Sequence, residues 1–150
     1  MSKDIKACLT HKTDNWKTPT EIYNRFMELG YKDTFKYESK ENELENNYYN
    51  EKLFINPPFS KMKKITEWII KQLEQHNEIL LLIPSRTDTE YFHRLLTYNP
   101  IIYMIKGRLH YNDSKSAPFP TLLLHFNNNW WLKMPIYKQI TQKELIKCQF

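Results

Sequence analysis

Residues Ile79-Leu80-Leu81-Leu82-Ile83 form an apolar run without alternation, entered from Glu78 and stopped by Pro84. A strand with one wet face alternates apolar and polar residues. An unbroken run of this length predicts a strand buried on both faces, as in a parallel sheet flanked by helices. The flanking sequence agrees. Lys52–Ile55 reads as a short buried strand, Ile101–Ile105 as another, and Thr121–Phe126 as the last clear one. Ile22, Tyr23, Phe26, Met27 and Leu29 share one face of a helix that Gly30 can close. Met62, Ile65, Trp68, Ile69 and Leu73 repeat at the same spacing, and a third helix closes near Asn99-Pro100. Helix starts are expected at Thr18, with Pro19 in the first turn and Glu21 completing a capping box, at Ser60, and at Thr87-Asp88-Thr89-Glu90. Arg108–Tyr111 are expected to pair back after Lys106-Gly107. The pattern is α/β: a mostly parallel sheet ending in an antiparallel hairpin, with helices on both faces.

The length of 150 residues fits one domain, with residues 1–15 a loose segment and residues 127–150 a C-terminal extension. The two glycines, Gly30 and Gly107, exclude every glycine-rich phosphate cradle. The apolar runs are too short to span a bilayer, and Met-Ser-Lys-Asp-Ile-Lys lacks the apolar core of a signal peptide. Cys8 and Cys148 stand at opposite ends without partners at metal-ligand spacing, which reads as reduced thiols in the cytoplasm. His93 and His125 also lack metal-spaced partners and read as structural, so neither a metal nor a membrane is expected.

The net charge of +5 is unevenly spread: −2 over residues 1–51 and +7 over residues 52–150. A basic region interleaved with aromatics suits a polyanion with stackable bases, and equally a lysine-rich solvated surface.

The most informative tetrapeptide is Asn56-Pro57-Pro58-Phe59, placed where a buried strand ends. Prolines donate no amide, so the loop is stiff and presents carbonyls. The Asn56 side-chain oxygen and the adjacent carbonyl are two neutral acceptors close together. Such a pair can hold both hydrogens of an exocyclic NH₂ and aim the nitrogen lone pair at an electrophile. The Phe59 ring can stack on the base, which must be flipped or single-stranded to reach the loop. The plainer reading is a strand-ending Pro-Pro turn with a buried Phe.

Four blocks in order resemble the phage-type N6-adenine DNA methyltransferases over roughly residues 14–126. They are Asp14-Asn15-Trp16-Lys17-Thr18-Pro19; Leu53-Phe54-Ile55-Asn56-Pro57-Pro58-Phe59-Ser60 with Trp68 beyond; Leu82-Ile83-Pro84-Ser85-Arg86-Thr87-Asp88-Thr89 with Tyr91-Phe92-His93; and Ile105-Lys106-Gly107-Arg108-Leu109 followed by Ala117-Pro118-Phe119-Pro120. The resemblance implies a Rossmann-like methyltransferase fold with S-adenosylmethionine at the carboxyl ends of the strands. It implies methyl transfer to adenine in DNA, in a protein carried by a phage or other mobile element. Asn56, Pro57, Pro58 and Phe59 would be catalytic, and Trp16, Thr18, Pro19 and Asp33 would lie at the cofactor. The family's Asp-Pro-Cys falls on Asp33-Thr34-Phe35, and its Asp-Gly-Leu on Asn42-Glu43-Leu44, so only the first Asp survives in the first motif. Residues 28–51 carry seven Asp/Glu against three Lys. That departure supports a second reading: a methyltransferase-fold protein without activity, binding DNA or a protein partner. Cytosine, which carries a similar NH₂, is a third variant.

Other residues serve two readings each. Trp16 and Thr18 suit a cofactor block, or a core Trp and a helix cap. Lys61, Lys63 and Lys64 can clamp a phosphate backbone beside the loop, or charge a helix start. Arg86 follows a buried strand where α/β sites gather, and Arg108 can contact phosphate or sit solvated. Asp88 can cap a helix. Trp130-Trp131 can stack on bases or, the favoured reading, cover the sheet.

Overall fold

The computed structural model describes residues 16–35, 43–113, 116–127 and 136–150. The expectations for residues 1–15, Cys8, Asn42 and Trp130-Trp131 lie outside them. In chain order the elements are α1 (Thr20–Glu28), β1 (Lys32–Asp33), β2 (Lys52–Ile55), α2 (Met62–Glu74), β3 (Glu78–Pro84), α3 (Glu90–Leu96), β4 (Ile101–Lys106), β5 (Thr121–Phe126), β6 (Ile136–Thr141) and α4 (Gln142–Lys147).

The strands form one six-stranded sheet in the order β1-β2-β3-β5-β4-β6. β1, β2 and β3 run parallel, with Asp33 opposite Phe54 and Ile55 opposite Leu81. β5 is antiparallel to both β3 and β4, and β6 runs parallel to β4. The apolar run in β3 is resolved by the pleat. Ile79, Leu81 and Ile83 face α2 and α3, packing with Ile65, Trp68, Ile69 and Leu95. Leu80 and Leu82 face the other side, with Ile22 and Phe26 of α1 and Leu145 of α4. All five side chains are fully buried, because helices cover both faces.

The hairpin expected from Ile101–Ile105 through Lys106-Gly107 into Arg108–Tyr111 does not form; β4 pairs antiparallel with β5 instead, across residues 107–120. Arg108–Tyr111 lie in that connection and do not pair. Instead Ala117 N–H donates to the Leu109 carbonyl at 2.8 Å, and a short 3₁₀ turn occupies Tyr111–Asp113. The C-terminal extension contributes the edge strand β6 and helix α4, whose start carries a complete capping box between Thr141 and Glu144.

The three capping boxes or caps expected from sequence do not form. α1 begins at Thr20 after an extended Pro19, and no side chain caps it. α2 is entered through a 3₁₀ turn over Phe59–Lys61, so Lys61 and not Ser60 precedes it. At α3 the Thr89 hydroxyl donates back to the Arg86 carbonyl at 2.7 Å. In each case the expected oxygen, or the chain around it, is committed elsewhere. The Gly30 stop is as expected: φ is +87°, and the Gly30 and Tyr31 amides donate to the carbonyls of Met27 and Phe26.

The weakly patterned segment before β2 is held by side chains of the α2–β3 turn. Asn77, fully buried, accepts from the Glu51 amide at 2.9 Å and donates to the Tyr48 carbonyl at 2.6 Å. Trp68 Nε1 and Gln72 Nε2 both donate to the Asn46 carbonyl.

At the amino end of β3, Glu78 accepts from Tyr31 Oη at 2.5 Å and from His125 Nε2 at 2.7 Å. The hydrogen bond from His125 is the main cause that holds the Glu78 carboxyl below its usual range, and the Tyr31 hydroxyl adds to it against the cost of burial. A carboxyl depressed by folding stabilises the fold above its unfolded pKa, and that contribution is lost as pH falls through the folded value. Urea unfolding across pH should therefore show a stability gap between wild type and Glu78→Gln that is constant at neutral pH. The gap should shrink only below the ordinary carboxylate range near pH 4.5. A gap that opens instead on acidification would contradict this assignment.

Candidate functional site

β1, β2, β3 and β4 all point the same way, so their carboxyl ends share one edge of the sheet. Asp33 ends β1, Asn56 follows β2, Arg86 follows β3 and Arg108 follows β4. With strands about 4.8 Å apart, this edge is roughly 19 Å long from β1 to β4. Lys61, Lys63 and Lys64 are exposed at the entry to α2, on the same edge; Arg86 is half-buried and Arg108 exposed.

A cavity of 410 Å³ opens beside the ends of β1 and β2, lined among others by Trp16, Thr18, Tyr23, Asp33, Phe54 and Asn56. Its size is that of a small-molecule site. It brings together Trp16, Thr18, Asp33 and Asn56 from three separate stretches of sequence. Pro19 is not among its lining residues; its carbonyl accepts the Tyr23 amide at 2.9 Å and starts α1.

Each wall has a local cause. Trp16 is held edge-on to Tyr111 at 5.8 Å and to Phe119 at 5.2 Å, so it is both a packed aromatic and a cavity wall. Phe54 alternates with Leu53 and Ile55 and so faces α1. The segment just past β1 has its own lock. Thr34 is fully buried, and its amide and hydroxyl both donate to the Phe54 carbonyl, at 3.1 and 3.3 Å. The Phe35 amide donates to Asp33 Oδ1 at 3.2 Å, and its ring packs edge-on to Trp68 at 5.5 Å. Asp33 is thereby turned toward the cavity, where Tyr23 shares a hydrogen bond with it. Burial raises the Tyr23 phenol above its usual pKa, and the neighbouring Asp33 charge raises it further, so the phenol stays protonated and donates.

Asn56 carries the most specific geometry. Its Nδ2 donates to the Trp16 carbonyl at 2.5 Å and to Thr18 Oγ1 at 3.0 Å. A carbonyl only accepts, so the atom facing Trp16 must be the nitrogen, and the other side-chain atom is the oxygen. That oxygen, Oδ1, is buried without a hydrogen-bond partner. A buried orphan acceptor is rare and costly, at about 1–3 kcal/mol, and points to a donor that arrives with a ligand. Thr18 is the expected helix cap diverted to this amide.

Pro57, Pro58 and Phe59 are buried. The Phe59 ring is 5% exposed and sits edge-on to Phe119 at 5.5 Å, so its faces are covered in this structure. His93 Nε2 meets the Thr87 carbonyl at 2.8 Å, a local structural bond, as expected.

Residues 6–122 match the family model described as DNA N-6-adenine-methyltransferase (Dam). The chain belongs to this family. Comparison with curated proteins and with solved structures finds no match. The match to the Dam family runs from before Trp16 to the second residue of β5 and leaves β6 and α4 outside it. DNA adenine N6-methylation is thus the activity of the family, and methyltransferases in general take the methyl group from S-adenosylmethionine. No helix among the described residues is long and apolar enough to cross a membrane, and no group of metal-ligating side chains is present among them.

Sequence reasoning missed Tyr23, Phe54 and Asn112. Tyr23 and Phe54 look like core residues, and only the sheet edge nearby makes them cavity walls. Asn112 has φ +58°, and its amide and Oδ1 bond both backbone groups of Lys17, at 2.8 and 2.9 Å. An Asn-Asp pair in a polar loop is a usable signal for such a left-handed turn.

The acceptor-only Trp16 carbonyl makes a prediction for Asn56→Asp. An ionised Asp would set oxygen against oxygen, while a protonated one can still donate. Folding should therefore raise the pKa of the new carboxyl. The variant should lose about 1–3 kcal/mol near pH 8 and recover as pH falls below the raised value. Thermal melts at pH 8 and pH 5 measure it; an equal loss at both would refute the geometry.

Proposed function

We propose that this chain is an S-adenosylmethionine-dependent methyltransferase acting on the exocyclic amine of adenine in DNA. The observation that carries the reading is the orphaned, buried Oδ1 of Asn56 beside a cavity that also contains Asp33. The cavity suits the cofactor. One carboxylate, Asp33, can meet a cationic group, and Trp16, Tyr23 and Phe54 offer aromatic surface to a sulfonium or a purine. When bound, S-adenosylmethionine supplies an electrophilic methyl group.

The chain's own residues do the rest. Asn56 Oδ1 and the Pro57 carbonyl accept the two hydrogens of the target amine and set its lone pair. The Asn56 amide is neutral and takes no proton, so its role is orientation. The two prolines fix the distance between the acceptors, because neither can rotate about φ. Phe59 would stack on the base once its contact with Phe119 opens, since a base in a duplex must leave the stack to reach this loop. Lys61, Lys63, Lys64, Arg86 and Arg108 would hold phosphates along the sheet edge.

One observation favours the second reading, a DNA- or protein-binding module that does not methylate. β1, which carries Asp33 to the cavity, is a two-residue strand at the end of the sheet among the described residues, a slight support for a cofactor site.

Tritiated methyl incorporation into adenine-containing DNA decides between the two. Wild type should incorporate label, and Asn56→Ala should lose about 10²–10³ in rate while keeping its fold. Calorimetry should show S-adenosylmethionine binding that Asp33→Asn weakens. Cofactor heat without incorporation on any DNA would leave the binding-module reading standing, and absence of both would end the enzyme reading.

DNA affinity should fall with salt. Replacing any one of the five basic residues that touches phosphate should lower the log–log salt slope by about one. Affinity that stays flat from low to physiological salt would point to a protein partner.

A further inference from the structure

We propose that Thr18 is a positioning residue for the transfer, on a segment held in place by Asn112, and that its work is to hold the second Nδ2 hydrogen and so lock the Asn56 amide in the orientation that the Trp16 carbonyl selects. This rests on the reading above.

A side-chain amide has two ends of nearly equal shape and opposite function. If the nitrogen of Asn56 faced the base, a donor would meet a donor and the amine would be turned away. Nothing in Asn56 itself chooses between the two orientations. The choice is made on the segment before α1 by the Trp16 carbonyl at 2.5 Å, which can only accept, and Thr18 Oγ1 at 3.0 Å takes the second hydrogen and holds the amide there. Together they take both Nδ2 hydrogens, which leaves Oδ1 as the buried atom without a partner.

The segment is itself anchored. The Lys17 amide donates to Asn112 Oδ1 at 2.9 Å, and the Asn112 amide donates to the Lys17 carbonyl at 2.8 Å. This reciprocal pair lies between the two residues that hold Asn56. Asn112 can serve because its φ of +58° lies in the left-handed region that Asn tolerates. Tyr111, the neighbour of Asn112, is fully buried and meets the Trp16 ring, so the strap is also fixed by packing. Thr18 is 5% exposed, which makes its hydroxyl a poor candidate for a mere surface cap.

The role assigned to Thr18 differs from cofactor binding, and three substitutions separate them. Thr18→Val keeps the shape and removes the acceptor; Thr18→Ser restores it; Asn112→Gly keeps the left-handed turn and its amide's bond to the Lys17 carbonyl but removes the acceptor of the Lys17 amide. The first readout needs no activity. In ¹⁵N-labelled protein the Asn56 side-chain NH₂ should exchange slowly in wild type and in Thr18→Ser. It should exchange faster in Thr18→Val and, to a lesser degree, in Asn112→Gly. Unchanged protection in Thr18→Val overturns the proposal, whether or not the protein methylates DNA.

The second readout is kinetic. Thr18→Val should lower kcat by about 10- to 100-fold with the calorimetric Kd for S-adenosylmethionine unchanged, and Thr18→Ser should recover most of the rate. A raised cofactor Kd with kcat intact at saturation would make Thr18 a cofactor contact and overturn the proposal. If wild type transfers no methyl group, the function proposed above fails by itself, and the exchange measurement alone decides the role of Thr18.

Discussion

β3 has no face for water. Once its odd and even side chains are both buried, helices must lie on either side of the sheet, and the only accessible parts of the central strands are their ends. Parallel pairing with β2 then sends both carboxyl ends to the same edge, and β1 and β4 follow. Asp33, Asn56, Arg86 and Arg108 stand together for this reason alone. Their positions in sequence are far apart, and each lies at the end of its strand or within two residues of it. The function that a buried sheet permits is function at its rim.

Legibility in the sequence follows the range of the forces involved. The four inner strands β2 to β5 and the two long helices are readable because burial imposes a period, and a period is local; the edge strands β1 and β6, short or half-exposed, carry no such pattern. The Asn56-Pro57-Pro58-Phe59 loop is readable because proline stiffness is intrinsic to the residue. The helix caps at Thr18, Ser60 and Thr87–Glu90 are not. Capping residues carry a hydroxyl or carboxylate that any nearby donor can claim, and at Thr18 the claimant is an amide 38 residues away in sequence. Leaving a buried amide unpaired costs about 1–3 kcal/mol, against about 1 kcal/mol for a cap, so the tertiary bond wins. Among the described residues the one full capping box sits at Thr141, on an exposed helix start where its hydroxyl and Glu144 serve only each other.

The same asymmetry explains how the chain around Asp33 is held. From the sequence, the loss of Pro and Cys around Asp33 looks like damage. In the fold, Thr34 clamps to the Phe54 carbonyl and Phe35 drops against Trp68, which fixes the backbone just past β1 by other means. What a rigid proline does through φ, a buried threonine does through two hydrogen bonds. Asp33 is held in place because its neighbours are anchored.

The orientation of the Asn56 amide is the deepest of these dependencies, since the deciding partner is a backbone carbonyl. A carbonyl is present at every position, so no residue type at Trp16 could announce it. Its importance comes from where the chain passes, and that path is set by the Trp16 ring against Tyr111 and Phe119 and by Asn112 on Lys17. Aromatic packing on one side of the sheet edge thus selects the chemical identity of the atom offered on the other. A neutral acceptor pair is only as specific as the scaffold that stops it from flipping, and here the scaffold belongs to the loop that follows β4 and the segment that precedes α1.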